Sequence, residues 1–482
     1  MERGSQSGGQ LVRRIAAGAL VGYLALVLLF YVLAGEQLHL RESRGTVSLP
    51  EAGRGTVELT AGHEVEQTFT VSIQRLERVE VRWGTYYRAN EGTILAELLD
   101  GRDGRVLLSQ RFDASAIEEG GVTALEAAEP LEGLYGAALR LRLRADSEPG
   151  SGVSPLLSGS GAPEGWRLLV DGADTEGALC LAAGGTDYIW TGLHYWQFVF
   201  AGLALLAAGL AVIGWRVARG KRSYVVNAVI ALRKYRFLIR QLVERDFKTK
   251  YKRSVLGVFW SFLNPLLTMS VQYLIFSTIF RSDIPNYAVY LLVGVVAFNF
   301  FSEACSMALS SIVGNAGLIT KVYLPKYIYP LTRVMSSMVN LGISLIPLLL
   351  MTAVTGLRLH KSAALGLYFL FCLVVFSLGL GLLLSAAMVF FRDVQFLWGV
   401  LSMIWMYATP IFYPESIIPE QFRFILRLNP LYHFLRNTRV CILEGISPEP
   451  AVYVQCLLLA AGMLAVGALV FRRTQDRFVL YI

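Results

Sequence analysis

Two periodicities divide the chain. Between residues 36 and 190, apolar and polar positions alternate. "EVEQTFTVSI" sets Val65, Phe69, Val71 and Ile73 on one face, and "RVEVRW" alternates Val79, Val81 and Trp83 with Arg78, Glu80 and Arg82. "LRLRLR" (Leu139 to Arg144) alternates without a break. A period of two, apolar inward and polar outward, predicts half-buried antiparallel strands. "DGRDG" (Asp100 to Gly104) falls between two such runs and predicts a hairpin turn. "PGSGVSPLLSGSGAPEG" (Pro149 to Gly165) reads as a loop by composition. The whole segment predicts an all-β sandwich.

Elsewhere the apolar positions run together. A bilayer-spanning helix needs about 20 apolar residues. Runs of that order lie at Ile15 to Leu33 and Leu193 to Trp215, then near 256–280, 287–312, 327–356, 363–391, 395–413 and 451–471. The fold class expected is a polytopic α-helical membrane protein of eight spans with an inserted β domain. Gly18 and Gly22 form a G-x-x-x-G in the first run, a spacing that admits a neighbouring helix. From Ala231 to Lys252 the period changes again. Leu232, Tyr235, Leu238, Ile239 and Leu242 recur at helical spacing opposite Arg233, Arg236, Arg240 and Glu244. This predicts an amphipathic basic helix suited to the inner membrane surface. The segment Pro414 to Gly445 is only moderately apolar, breaks at Asn429-Pro430, and predicts two short interfacial or re-entrant helices.

Charge orients these elements. The net charge of +8 hides a split, because Glu36 to Asp187 holds 25 acidic against 14 basic residues and the remainder is strongly basic. Arg13 and Arg14, the cluster from Arg216 to Arg222, Lys321, Lys326, Arg392, and Arg472 with Arg473 mark cytoplasmic ends. Both termini are then cytoplasmic and the β domain is extracytoplasmic. The domains expected are 1–35 (N-terminus and first span), 36–190 (β sandwich), 191–222 (second span), 223–254 (interface helix) and 255–482 (six-helix core). Arg423, Arg427, Arg436 and Arg439 fall on the outer side against this trend.

Searches for enzyme chemistry return nothing. The nearest approach to a phosphate-cradling loop, "GWRVARGKR" (Gly214 to Arg222), has the wrong spacing and no Ser or Thr after its Lys. The five cysteines show no C-x-x-C spacing and the five histidines no ligand spacing. Gly379 and Gly381 lie within a span, where close helix packing explains them. Neither a catalytic site, a metal nor a nucleic-acid partner is expected. Glu303 is the only acid well inside a core span. An intramembrane carboxylate marks either function or a polar helix–helix contact, and it has no evident proton-relay partner.

Five fragments resemble one family in order and spacing. "RDFKTKYKRSVLGVFWSFLNPLL" (Arg245 to Leu267) is the first, with Arg245, Asp246, Lys248, Tyr251, Ser254, Leu256, Gly257, Trp260 and Pro265 in matching positions and Lys250 where Arg is usual. The second runs from Phe298 to Leu331 and matches at Asn315, Leu318, Ile319, Lys321 and Pro325, with Leu324 where Phe is usual. "FFRDV", "TPIFYP" and "NPL" followed by Arg439 and Gly445 complete the set. Together they resemble the ABC-2 type permeases that export O-antigen, capsule and teichoic acid polysaccharides.

The resemblance covers a little over half the chain. It implies a six-span core, a homodimer, and a separate P-loop ATPase that carries the ATP and Mg, leaving this chain without a cofactor. It also implies an ATPase-coupling loop at Asn315, Leu318, Ile319, Lys321, Val322 and Pro325, whose apolar members would otherwise be exposed. An interface helix and gate are implied at Arg245, Lys248, Tyr251, Lys252, Ser254, Gly257 and Trp260. Sugars stack on rings, so Trp260, Tyr273, Phe276, Trp398, Trp405, Tyr407 and Phe412, with Glu303, are the expected pathway residues for a lipid-linked or free polysaccharide. Two other readings compete. A two-span sensor would need a cytoplasmic output domain after Arg222. A membrane glycosyltransferase or ligase would need paired acids among Glu415, Glu420, Glu444 and Glu449, which show no pairing logic.

Overall fold

The computed structural model describes residues 2–43, 52–159, 162–219, 224–252, 254–278, 284–321 and 324–482. The chain forms two compact units, Met1–Leu38 together with His194–Ile482, and His39–Leu193.

The β unit is a pair of antiparallel sheets. One is ordered β1 (Leu40–Glu42), β12 (Leu181–Tyr188), β4 (Arg75–Gly84), β9 (Ser154–Ser158), β2 (Ala52–Gly55), with β7 (Val122–Glu132) also paired to β4. The other is ordered β11 (Ala173–Thr175), β10 (Arg167–Val170), β3 (Glu64–Thr70), β8 (Ala138–Ala145), β5 (Thr93–Asp100), β6 (Val106–Asp113). The predicted inward residues, among them Val65, Phe69, Val79, Val81, Trp83, Leu139, Leu141 and Leu143, are buried in one core. The arginines alternating with those leucines lie on the outer face, where Arg142 pairs with Glu66 at 2.8 Å and Arg144 with Glu64 at 2.7 Å. The predicted hairpin turn joins β5 to β6, and its aspartates bond the backbone two residues on, Arg102 N to Asp100 and Arg105 N to Asp103, each at 2.9 Å. The segment Pro149 to Gly165 departs from its loop reading. Ser154–Ser158 form β9, because "SPLL" is buried between β4 and β2 and its glycines flank the strand instead of interrupting it.

Among the described residues, ten helices of ten residues or more belong to the other unit: α1 (Glu2–Ala34), α2 (Tyr195–Ala218), α3 (Tyr224–Tyr251), α4 (Phe259–Thr278), α5 (Tyr287–Leu309), α6 (Ile328–Val354), α7 (Gly366–Phe390), α8 (Val394–Tyr407), α9 (Pro430–Arg439) and α10 (Pro450–Thr474). Six helices among the described residues are long and apolar enough to cross a membrane: α1, α2, α5, α6, α7 and α10. Eight were expected. α8 has 14 residues, about 21 Å of helix against a hydrocarbon core of about 30 Å. α4 is diluted by Ser261, Asn264, Pro265 and Gln272.

α5 is the central helix, buried at most positions from Val289 to Leu309, as a helix apolar on nearly every face must be. Glycine sets the closest contact, between α7 and α10. A Cβ on Gly467 would lie 1.9 Å from the Gly379 carbonyl oxygen, so neither helix tolerates a side chain there. α1 and α2 clasp each other reciprocally. Tyr23 donates to the Val199 carbonyl at 2.9 Å and Tyr195 to the Val27 carbonyl at 3.0 Å. Gln37 ties α1 to the loop after α9, donating to the Gly445 carbonyl at 3.1 Å and accepting from the Ser447 N–H at 2.7 Å. Nothing among the described residues lies within 4 Å of a Cβ on Gly18 or Gly22, so the G-x-x-x-G serves no contact inside this unit.

Candidate functional site

Where α3 ends, the chain turns a corner and starts α4. Ser254 Oγ accepts from the Gly257 N–H at 3.1 Å, and Gly257 has φ +50°. No atom comes within 4 Å of a Cβ built there, so the glycine answers to backbone handedness. Arg253 lies outside the described residues. The apolar seam of α3 is seated on protein in its second half, with Ile239 and Leu242 buried against Ile328 of α6. Leu232, one residue of the predicted lipid-facing stripe, stays exposed.

This corner brings α3, α4, α5 and α6 around a cavity of about 370 Å³ lined by polar groups. Glu303 of α5 is its anchor. Lys250 Nζ lies 2.8 Å from the Glu303 carboxylate, and Asn340 Nδ2 of α6 donates to the same oxygen at 2.7 Å. The amide oxygen of Asn340 lies 3.2 Å from the Tyr251 hydroxyl and 3.3 Å from the Ser261 hydroxyl, and the two hydroxyls also meet, so their two protons are shared among the three oxygens. One network therefore joins four helices. Isolated in apolar surroundings each of these groups would be costly, and together they are satisfied. Pro265 of α4 leaves the Ser261 carbonyl without its usual helical donor, and Ser344 of α6 supplies one at 3.2 Å. Trp260, Asn264 and Pro265 line the same cavity.

Lys250 and Glu303 also line a second cavity, of about 700 Å³. Here Arg333 of α6 lies 3.0 Å from the buried Asp246 carboxylate, with Arg245 3.3 Å from its other oxygen. Arg245 also donates to Asn315 at 3.5 Å, and Asn315 donates to the Ser311 carbonyl at 2.7 Å. The basic end of α3 is thus in contact with the start of the expected coupling loop.

The expected site residues separate on this geometry. Arg245, Tyr251, Trp260 and Glu303 converge on the two cavities. Lys248 is exposed and lies 4.0 Å from Glu244, and Lys252 is exposed. Leu318 and Ile319 pack in part against a buried cluster that includes Tyr329, Phe471 and Phe478. Their apolar character is accounted for by this contact, so it does not by itself argue for docking. Lys321 is exposed, Pro325 half-buried, and Val322 lies outside the described residues.

Of the seven pathway rings, Trp260 alone lines the cavity. Trp398 and Trp405 are packing residues. Trp398 is buried and donates to Ser306 at 3.0 Å, while Trp405 donates to Asn429 at 2.7 Å and meets Phe301 edge-on. Phe276 stacks on Phe412 at 5.8 Å, Tyr273 packs at an angle to Tyr287, and Tyr407 is exposed.

Sequence reasoning passed over Lys250, Ser261, Arg333 and Asn340. Asn340, a lone amide inside an apolar run, carried the same signal as Glu303. Lys250 was visible at its motif position but ranked below its neighbours, because helical phase alone does not reveal which of three close lysines turns inward.

A second polar cluster stabilises the break after α8. Asn429 caps α9, accepting from the Leu431 N–H at 3.1 Å with Pro430 at the first helical position, and donates to Thr409 at 2.8 Å. Arg439 is buried. Its guanidinium donates to the carbonyls of Tyr290 (3.1 Å), Pro410 (2.6 Å) and Ile411 (2.8 Å) and stacks 3.4 Å over the Tyr290 ring. It clamps "TPIFYP" onto α5, a contact that accounts for an arginine the charge pattern left unexplained.

Residues 238–443 match the ABC-2 type transporter family. The O-antigen export system permease protein RfbA of Klebsiella pneumoniae is 30% identical over 243 residues, spanning 50% of this chain and 93% of its own length. The protein of that name in Myxococcus xanthus is 29% identical over 256 residues, 53% of this chain and 98% of its own. The polysialic acid transport protein KpsM of Escherichia coli is 22% identical over 246 residues, 49% and 93%. These matches span about half of this chain and nearly all of each relative. The chain belongs to the ABC-2 type transporter family.

Proposed function

We propose that this chain is the membrane permease of an ATP-driven exporter that moves a polysaccharide, carried on a lipid, out of the cytoplasm. Two copies form the pathway with a separate P-loop ATPase. Both termini are cytoplasmic and the β unit is extracytoplasmic. The observation that carries this reading is the Lys250–Glu303–Asn340 network around a cavity walled by otherwise apolar helices, in a chain that aligns over nearly the full length of O-antigen export permeases. A sugar polymer needs hydrogen-bond partners for its hydroxyls and flat apolar faces for its C–H surfaces. Glu303, Asn264 and Asn340 offer the first, and Trp260 the second. Lys250 and Glu303, shared by both cavities, act as a latch between them.

The ATPase docks at Asn315 to Pro325, with Lys321 as its exposed cation. Movement there reaches α3 through Arg245 and Asn315, and α3 is held to α6 through Asp246 and Arg333. ATP and Mg reside on the partner.

The test is to purify the full chain with its candidate ATPase and follow polysaccharide-stimulated hydrolysis. Glu303→Gln, which breaks the latch, is expected to lower stimulated turnover about tenfold, roughly 1.4 kcal/mol. Lys321→Glu is expected to abolish stimulation while the chain remains in the membrane. A chain that binds no P-loop ATPase would sink the reading.

A further inference from the structure

The β unit carries a tight turn with unusual residues at its centre, closed where the Arg88 N–H donates to the Thr85 carbonyl at 3.3 Å. β4 runs into the segment "TYYRANEG" (Thr85 to Gly92), in which Tyr86 and Tyr87 both adopt left-handed backbone, φ 57° and 55°. Non-glycine residues seldom do this, and two in succession persist only where the surroundings hold them. Those surroundings are specific. The Glu119 carboxylate accepts from the Thr85 N–H at 2.6 Å, the Thr85 hydroxyl at 2.8 Å and the Tyr87 N–H at 3.5 Å. Arg88 stacks on the Tyr86 ring at 4.9 Å, bonds Glu58, and donates to the Gly152 carbonyl at 3.2 Å. Asn90, buried, donates to the Thr85 carbonyl at 3.1 Å. Held this way, the rings are not packed inward. Tyr87 is 89% exposed and Tyr86 48%.

Place separates this pair from the other exposed rings. Arg75, at the start of β4, pairs with Thr186, next to the strand pair Leu40–Tyr188 through which the chain enters and leaves the unit. Gly84, at the other end, pairs with Ser154. A ten-residue strand spans about 30 Å, so Tyr86 and Tyr87 sit at the end of the unit remote from its connections to α1 and α2. Tyr135, Tyr188 and Trp190 are also exposed, and they lie near the connecting end of the unit.

We infer that Tyr86 and Tyr87 form a carbohydrate-stacking platform on the β unit, with Arg88 and Glu58 beside it to meet sugar hydroxyls. The inference rests on the polysaccharide reading of the proposed function and extends it to a second site on the same cargo.

The test uses the full-length chain in nanodiscs and, as probe, the surface polysaccharide purified from cells that make this chain. Tyr87→Ala is expected to weaken binding at least about tenfold, as loss of a dominant aromatic contact does. Tyr87→Phe should stay within about twofold, since stacking needs the ring and not the hydroxyl. Tyr87→Gly should weaken binding as Ala does while raising the thermal unfolding midpoint, because glycine accepts φ 55° without strain. That opposite movement separates a binding role from a structural one. Unchanged binding by Tyr87→Gly, or no binding by the unaltered chain, overturns the inference. So does Tyr87-dependent co-flotation with phosphatidylglycerol–phosphatidylethanolamine vesicles in place of polysaccharide binding. If deleting the whole chain leaves the surface polysaccharide intact, the export reading fails. If deletion removes the polysaccharide and the purified chain does not bind it, only the platform fails.

Discussion

Arg439 shows how a single residue can be misread from charge alone. Along the sequence it is one of four arginines on the wrong side for orientation. In the fold it is buried and gathers the Pro410 and Ile411 carbonyl oxygens, which the break after α8 leaves without helical donors, together with the Tyr290 carbonyl of α5. Each carbonyl stranded without a donor costs about 1–3 kcal/mol. Arg439→Met is therefore expected to destabilise the helical unit by at least about 2 kcal/mol, read as a fall in the thermal midpoint of the purified chain. Gly294→Ala should act at the same point, because its Cβ would lie 2.7 Å from the Arg439 guanidinium. Unchanged midpoints in both variants would remove the clamp from the account. Glu303 was visible in the sequence by the expense of burying a carboxylate. Its partners were not, because Lys250 is 53 and Asn340 37 residues away, and only the fold brings them to one oxygen.

At the scale of elements, the α3–α4 corner was legible. A basic run that meets an apolar one at Ser254 to Gly257 has few ways to continue. The reason for its glycine was not legible, since close approach and left-handed backbone leave the same letter. The structure decides for backbone, and Gly257→Ala is expected to cost about 1–2 kcal/mol. Hydrogen exchange should show the loss confined to the end of α3 and the start of α4. Exchange that rises in α5 instead would point to a packing role. The coupling segment teaches the converse. Leu318 and Ile319 suggested an apolar docking surface, yet they pack on the chain's own cluster, because the helix Phe478–Tyr481 folds back beside α7, with Phe478 buried. Likewise α8 stops at Tyr407, where Asn429 and Thr409 offer the break its partners, and a run apolar enough to continue ends short of a span.

At the scale of the whole molecule, the two units answer to different solvents. The β unit carries carboxylates held below their ordinary range, Glu119 by the Thr85 N–H and hydroxyl, and Asp171 by the Glu64 N–H and then His63. A depressed folded-state value gives stability that is present above the ordinary carboxylate value and lost as pH falls from it through the lowered one. The thermal midpoint of the β unit, followed in the full chain, is therefore expected to drop between about pH 5 and pH 3. Glu119→Gln should flatten that slope, and an identical slope in the variant would exclude this carboxylate. By itself, the sequence determined the class of each region, because period and apolar run length report directly whether a segment faces water on one side, lipid, or neither. It also determined the absence of a P-loop motif and the five fragments that carry the family. The tertiary structure alone decided which lysine meets Glu303, that two tryptophans are packing residues, and why Gly257 is glycine. It also decided that two tyrosines at the far end of the β unit are held in strain. Those outcomes depend on contacts between residues distant in the chain, and no local pattern encodes which of several equivalent side chains a fold will turn toward one another.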